Sequence, residues 1–398
     1  MTGKSEVDLS DRTPLQRGIM RNIPLLAVSS IALLIGCTEQ QSLPSALTPG
    51  HPNFVTYTAS TGAPSILGAW NGSSYTIAYD INDLGTIVGV SDDASITAVG
   101  WATGTNPGPK STTPFLISSA GAVGRAINAV GQVAGEIGSH AGLWTPVPKS
   151  TSYTATDIGA ATLFVGATIS AAYGINASGQ VVGSYRVNGE DKCFLWTPSS
   201  TNATTGTAVE IPGLGGTFCV ANDINSSGQI AGASTLLGGS PNHAFVSIGG
   251  AAAIDLQPGT DESYGAAINN AGQVAGYHTP AIGPTSAAVW TPSGSGWGSA
   301  SDLGTPTLSG QSGPINSAAL DINDAGYVVG YTSDQQAIIR AFFWQGTAFT
   351  ELPDAGVSIV QANGLTNVMA NRVIVTGSDV FNATNGRHGL RWVVTLKR

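Results

Sequence analysis

Ten residues, written six times over, limit what this chain can become. They read DINDLGTIVG, AINAVGQVAG, GINASGQVVG, DINSSGQIAG, AINNAGQVAG and DINDAGYVVG, with their asparagines at Asn82, Asn128, Asn176, Asn225, Asn269 and Asn323. A seventh, degenerate copy, GLTNVMANRVIVTG, has Leu365-Thr366 in place of Ile-Asn. A spacing of about 48 residues means one supersecondary unit used repeatedly. Around each copy, short runs of Val, Ile, Thr, Phe and Trp alternate with Gly, Asn, Ser and Pro. That is an all-β pattern with frequent turns.

Each unit reads as four strands, a to d. Strand a ends in Ile-Asn, strand b is the Gly-Gln-Val-Val-Gly run, and strand c is aromatic, as in CFLWTP or AFFW. Strand d carries an acid and then Ile or Leu: Asp157-Ile158, Glu210-Ile211, Asp255-Leu256, Asp302-Leu303 and Glu351-Leu352. Four short strands in a unit of this length match a propeller blade. The expected fold is therefore an all-β propeller of seven four-stranded blades, with a β-solenoid ranked second. The last copy stops after strand c, at HGLRWVVTLKR, while Ser65-Ile66 aligns with Glu210-Ile211. An N-terminal strand near Ile66 is thus expected to complete the last blade beside Trp392, leaving no open sheet edge.

The motif explains itself as a hairpin. Asn176 can turn its side-chain oxygen onto a backbone N–H two residues on. Gly179 supplies the left-handed residue that closes the turn. Gly183 suits a close backbone approach. Trp101, Trp144, Trp196, Trp290, Trp344 and Trp392 recur on strand c and are expected to fill the space between neighbouring sheets.

Residues 20–37, MRNIPLLAVSSIALLIGC, place a positive charge before an apolar run too short to span a bilayer. Leu34-Ile35-Gly36-Cys37 resembles the lipobox of bacterial lipoproteins. The resemblance implies that Cys37 is lipidated and becomes the first mature residue, and Thr38 after it implies sorting to an outer membrane. The expected organisation is a lipoprotein signal peptide over 1–36, with Met20 as an alternative start, a polar tether over 37–62, and repeats over 63–398. INxxGQVVG followed by a His-Ala-Phe stretch and DLG resembles the HAF repeat of extracellular bacterial proteins; NHAFVS at 242–247 carries it literally. That resemblance covers nearly all of 63–398 and implies an extracellular repeat protein without implying an activity.

Only 10% of residues are charged and the formal net charge is -9, with no basic run, so a nucleic-acid partner is not expected. Asp80-Ile81-Asn82-Asp83 and Asp321-Ile322-Asn323-Asp324 faintly resemble calcium loops, yet lack the closing bidentate carboxylate. The five histidines show no zinc spacing, and no metal or cofactor is expected. With Cys37 assigned to lipid, Cys193 and Cys219 can form one disulfide or remain two buried thiols. No nucleophile elbow or phosphate loop is present.

The position opening strand c reads Thr97, His140, Lys192, His243, Ser286, Arg340 and His388. Five of the seven are basic or can become so, and the b–c loop before them is the most variable part of the unit. Tyr185, Tyr277 and Tyr331 stand near the start of these loops. His140, Lys192, His243, Arg340, His388 and the three tyrosines are therefore candidate ligand contacts for a polysaccharide or an acidic protein segment. The competing reading is that the polar residues cap strand ends. The acids of strand d read as solvated edge charges. The leading function is a non-enzymatic, monomeric binding module held on the envelope by its lipid. A carbohydrate-active lyase or hydrolase with its site at the channel mouth is the alternative, and a purely structural envelope protein is the third.

Overall fold

The repeat builds four-stranded antiparallel sheets, each paired in the order a–b–c–d. The computed structural model describes residues 58–92, 96–106, 108–119, 121–294, 296–354, 360–379 and 386–397. The signal peptide, Cys37 and most of the expected tether lie outside them. In the first copy the strands are Thr76–Ile81, Thr86–Asp92, Ile96–Ala102 and Pro114–Ser118. In the third they are Ile169–Ile175, Val181–Val187, Glu190–Pro198 and Gly206–Ile211. The seventh has Val360–Leu365, Arg372–Asp379 and Gly389–Lys397 as strands a to c. Its outer neighbours come from the other end of the unit. Ser65 pairs with Arg391 and Ile66 with Leu390, and Thr58–Thr61 pairs with residues 394–397. Thr58–Thr61, assigned to the tether from sequence, is thus part of a sheet, because strand c of the seventh copy is long enough to hold two short partners.

Strand a of each copy packs beside strand a of the next, and Val360–Leu365 packs beside Thr76–Ile81. This is a propeller-like arrangement, with the first strands gathered around one axis. Apolar clusters fill the space between neighbouring sheets. Trp144 of the second copy packs with Val88 and Ala98 of the first. Trp290 of the fifth packs with Ala231 and Val246 of the fourth, and Trp392 of the seventh with Val329 and Phe343 of the sixth. The tryptophans of strand c are therefore the wedges between sheets, each displacing water from a large apolar area.

Two glycines show why the motif is so constant. Gly179 sits at φ 81, the left-handed region that closes the hairpin. A Cβ on Gly183 would lie 1.9 Å from the carbonyl oxygen of Ala171. The crowding arises because strand a carries an extra residue there: the register shifts between Ala172 and Gly174, leaving Tyr173 bulged. The same shift recurs in every copy, at Tyr79, Arg125, Asn222, Ala266, Leu320 and Asn363. A bulge bends the strand and re-aims its side chain. Bulged residues of successive copies meet: the Arg125 guanidinium lies 5.5 Å from the Tyr79 ring centroid and 5.3 Å from that of Tyr173. Glu136 accepts from Arg125 Nε at 2.7 Å, so the buried cation is paired as well as stacked.

One disulfide crosses between copies. Cys193 on strand c of the third copy is bonded to Cys219 on strand a of the fourth, with Cα atoms 5.2 Å apart. Beside it, Asp191 and Phe218 make the parallel bridge that joins these two sheets.

Candidate functional site

The a–b hairpins of every copy meet around one cavity of about 220 Å³. Two collars of hydrogen bonds build its wall. In the inner one, each motif asparagine uses both ends of its amide. Asn176 Oδ1 accepts from Ser178 N and Gln180 N, each at 3.0 Å, which forms the local turn. Asn176 Nδ2 donates at 3.1 Å to the carbonyl of Asn225, the motif asparagine of the next copy. The link repeats from Asn82 to Asn128, Asn128 to Asn176, Asn225 to Asn269, Asn269 to Asn323, and Asn323 to the Thr366 carbonyl.

The rim collar uses the residue after each asparagine. Asn270 accepts from Ser226 N, Asp324 from Asn270 N, Asn367 from Asp324 N, and Asp83 from Asn367 N, at 2.8–3.0 Å. The Asn367 amide also donates to Asp83 Oδ2 at 3.1 Å and Asp324 Oδ2 at 3.3 Å, holding both carboxylates on one nitrogen. At the second and third copies the rim residues are Ala129 and Ala177, so the arc is open there.

Below the rim stand Asp80, Asp223 and Asp321, from strands a of the first, fourth and sixth copies. Each bridges two backbone N–H groups: Asp80 takes Ile81 and Ile127, Asp223 takes Ile224 and Ile268, and Asp321 takes Ile322 and Leu365. The second N–H of each pair belongs to the next copy, so each carboxyl is a joint between repeats. Burial pushes Asp80 up to about 7, against the lowering effect of its N–H donors and with help from Asp223 and Asp83. Burial likewise raises Asp223, and it holds Asp321 well above the usual carboxylate range, with Asp80 and Asp223 adding repulsion. Among the described residues, no Lys, Arg, His or aromatic side chain lines the cavity.

The residues singled out on strand c lie elsewhere. They open at the ends of the sheets opposite the a–b hairpins, and each has an acidic neighbour. His140 Nδ1 lies 2.8 Å from Asp157, Lys192 Nζ 2.6 Å from Glu190, and His388 Nδ1 2.7 Å from Asp379. Arg340 lies 3.3 Å from Asp354 and 3.7 Å from Glu351. His243 is fully buried, with Nδ1 2.9 Å from Asp255. Three of these acids are the strand-d acids, which are partners rather than solvated edge charges. Register explains it: Asp157 stands opposite Gly142, Asp255 opposite Phe245 and Glu351 opposite Phe342. Each acid is thus two positions along from the base and on the same face.

Tyr185, Tyr277 and Tyr331 are buried rather than displayed on loops, because strand b runs on through them. Tyr185 donates to Glu210 at 2.8 Å, and Tyr277 stacks on Tyr264 with centroids 5.5 Å apart. Burial raises the pKa of all three phenols, that of Tyr331 to about 12.

Sequence reasoning met Asp80, Asp83, Asp321 and Asp324 only as poor calcium loops and passed over Asp223. The signal was their shared offset from the motif asparagine, which places them on one ring once the copies stand side by side.

No protein-family model matches the chain, and no curated protein matches it. Among solved structures it is similar to TolB from Acinetobacter baumannii, at 13% identity and a TM-score of 0.42 over 79% of this chain and 66% of that one. It is similar to the BP39L lectin from Burkholderia pseudomallei, at 12% identity and 0.45 over 80% and 95% of the two chains. It is also similar to a prolyl endopeptidase, at 12% identity and 0.48 over 86% and 50%. The chain spans just under two thirds of TolB and half of the endopeptidase. At these identities the likeness carries no function to this chain.

Proposed function

We propose that the chain is an envelope lipoprotein of the HAF-repeat type, anchored through Cys37. In this reading its repeats form seven propeller blades, and the unit works as a non-enzymatic binding module. Pairing of Ser65-Ile66 with the seventh copy, and the packing of that copy's first strand on the first copy's, support a ring closed by the N-terminal strand. The ligand we assign is a neutral or amine-bearing sugar unit, taken at the hairpin mouth.

One observation carries this choice: hairpins from all seven copies line a cavity that presents five aspartates and several amides, with no basic side chain among its described walls. Carboxylates accept from hydroxyls, amides both accept and donate, and the carboxylates repel uronic acids or acidic peptides. The strand-c bases support the acidic-ligand alternative less well, since each already has a carboxylate beside it.

Binding of neutral, amine-bearing and acidic saccharides to the purified repeat unit tests the assignment. Asp83→Ala with Asp324→Ala should abolish binding of the neutral or amine-bearing class, while Lys192→Ala with Arg340→Ala leaves it intact. Binding confined to acidic saccharides would overturn it. A second reading, a hydrolase at the same mouth, draws on the pair of carboxylates flanking the Asn367 amide. Turnover of a bound glycan, lost in Asp83→Asn or Asp324→Asn, would favour that reading.

A further inference from the structure

We propose that Asp80, Asp223 and Asp321 form a proton-sensitive clasp: with protons bound they hold neighbouring repeats together at the mouth, and on losing them they repel and slacken it. The inference concerns regulation of the mouth. It draws on the binding reading only for its consequence, not for its physics.

The geometry is that of three identical joints. Each carboxyl spans the seam between two copies, first to second, fourth to fifth and sixth to seventh, by accepting one N–H from each side. A protonated carboxyl keeps a lone pair on each oxygen for these donors, and its O–H is free to turn toward the cavity. An ionised carboxyl bonds the N–H groups more strongly but adds a charge to a cup that has none of opposite sign. Among the described residues, the charged groups lining the cup are all acids. Asp80 feels Asp223 and Asp83, Asp321 feels Asp80 and Asp223, and Asp324 completes the lining. The neighbouring copies bring backbone N–H groups of Ile127, Ile268 and Leu365, and Arg125, two residues before Ile127, lies over Tyr79 and Tyr173 and is paired with Glu136.

The direction of the pH effect follows. Asp80 sits at about 7 in the fold against an ordinary value of 3.8. A carboxyl shifted up in this way binds its proton more tightly when folded. Its contribution to stability is complete below about pH 4 and is lost as pH rises through about 7. The cup consequently gains negative charge across the neutral range, where an amine-bearing ligand would be drawn in and a neutral one would lose its fitted wall.

The test uses the ligand-free protein. Infrared titration should show a carboxylic-acid band at pH 6 in the wild type that weakens by pH 8, and that is reduced in Asp80→Asn. Thermal unfolding of the wild type should fall by several degrees between pH 5.5 and pH 8. The difference between wild type and Asp80→Asn, which cancels the groups common to both proteins, should carry that slope. Hydrogen exchange in peptides covering Ile127, Ile268 and Leu365 should quicken with pH beyond the intrinsic rate in the wild type only. Absence of the acid band at pH 6 would overturn the proposal, as would parallel stability profiles for the two proteins. Should the asparagine variant not fold, the wild-type infrared titration decides alone. Failure of saccharide binding with the acid band present would refute the ligand assignment and leave the clasp standing.

Discussion

Replacing Asn225 by alanine measures how much one link of the inner collar holds. The side chain makes four hydrogen bonds: Oδ1 accepts from Ser227 N and Gln229 N at 3.0 Å, and Nδ2 donates to the Asn269 carbonyl at 2.9 Å and to Gln229 Oε1 at 2.7 Å. The losses are unequal. The Asn269 carbonyl still receives the turn bond from Gly272 N, and Gln229 Oε1 reaches solvent or a new donor. Gln229 N is left without its side-chain acceptor, which costs about 1–3 kcal/mol for a buried donor. Adding about 1 kcal/mol for the inter-repeat bond gives a loss of about 3 kcal/mol. For a unit the length of Val55–Arg398 the unfolding entropy is roughly 0.7 kcal/mol/K, so the expected fall in Tm is about 4 °C. Calorimetry or urea unfolding reads it directly. Asn225→Thr should fall between, since Thr366 stands at this place in the seventh copy and its hydroxyl accepts from Ile374 N at 3.1 Å. A shift below about 1 °C for alanine would refute the claim that the amide stitches copies together, and threonine no better than alanine would refute the share assigned to Gln229 N.

Gly232→Ala should cost more than about 3 kcal/mol or prevent folding, because the new Cβ would lie 2.1 Å from the Val220 carbonyl oxygen; soluble yield and urea midpoint check it. Replacing Cys193 and Cys219 together by serine opens a loop spanning 26 positions and should lower stability by about 3 kcal/mol, matched by reduction of the wild type under denaturant. Removing residues 58–66 strips the seventh copy of its outer partners and should produce concentration-dependent aggregation by light scattering. Cys37→Ser should abolish incorporation of labelled fatty acid and release the protein from membranes; retention of label would end the lipoprotein reading.

The hairpin was legible because its chemistry is local. Asn176 Oδ1 reaching the N–H two residues on, Gly179 at positive φ and the crowded Gly183 all follow from a few neighbouring residues. The other half of the same asparagine was not legible. Its Nδ2 serves a carbonyl 49 positions away, and only the juxtaposition of two copies reveals that target. The acidic partners of the strand-c bases were not legible for a related reason. His140 and Asp157 belong to separate strands, and their meeting depends on a register that fixes which residue stands opposite Gly142. Tyr185, Tyr277 and Tyr331 depended on where strand b ends. That is set by the strands it pairs with rather than by its own composition.

The inner collar has a direction. Every motif asparagine gives its amide hydrogen forward, and each one after Asn82 receives one from behind, until Thr366, which receives from Asn323 and has no amide to pass on. Across the junction between the last copy and the first, other contacts serve: Asn363 to the Ala78 carbonyl, Asn367 to Asp83, and Gly389 N to Thr76 Oγ1. In this link the interior junctions are alike and the terminal one differs, while the Cys193–Cys219 disulfide and the three aspartate joints mark particular interior seams. At the borders of a duplicated internal copy the asparagine donor and its carbonyl acceptor would still match. The ends cannot be shuffled, because only they carry the fittings of the seam. Exchange of copies is therefore least constrained at the plain interior seams and most constrained at the terminal one.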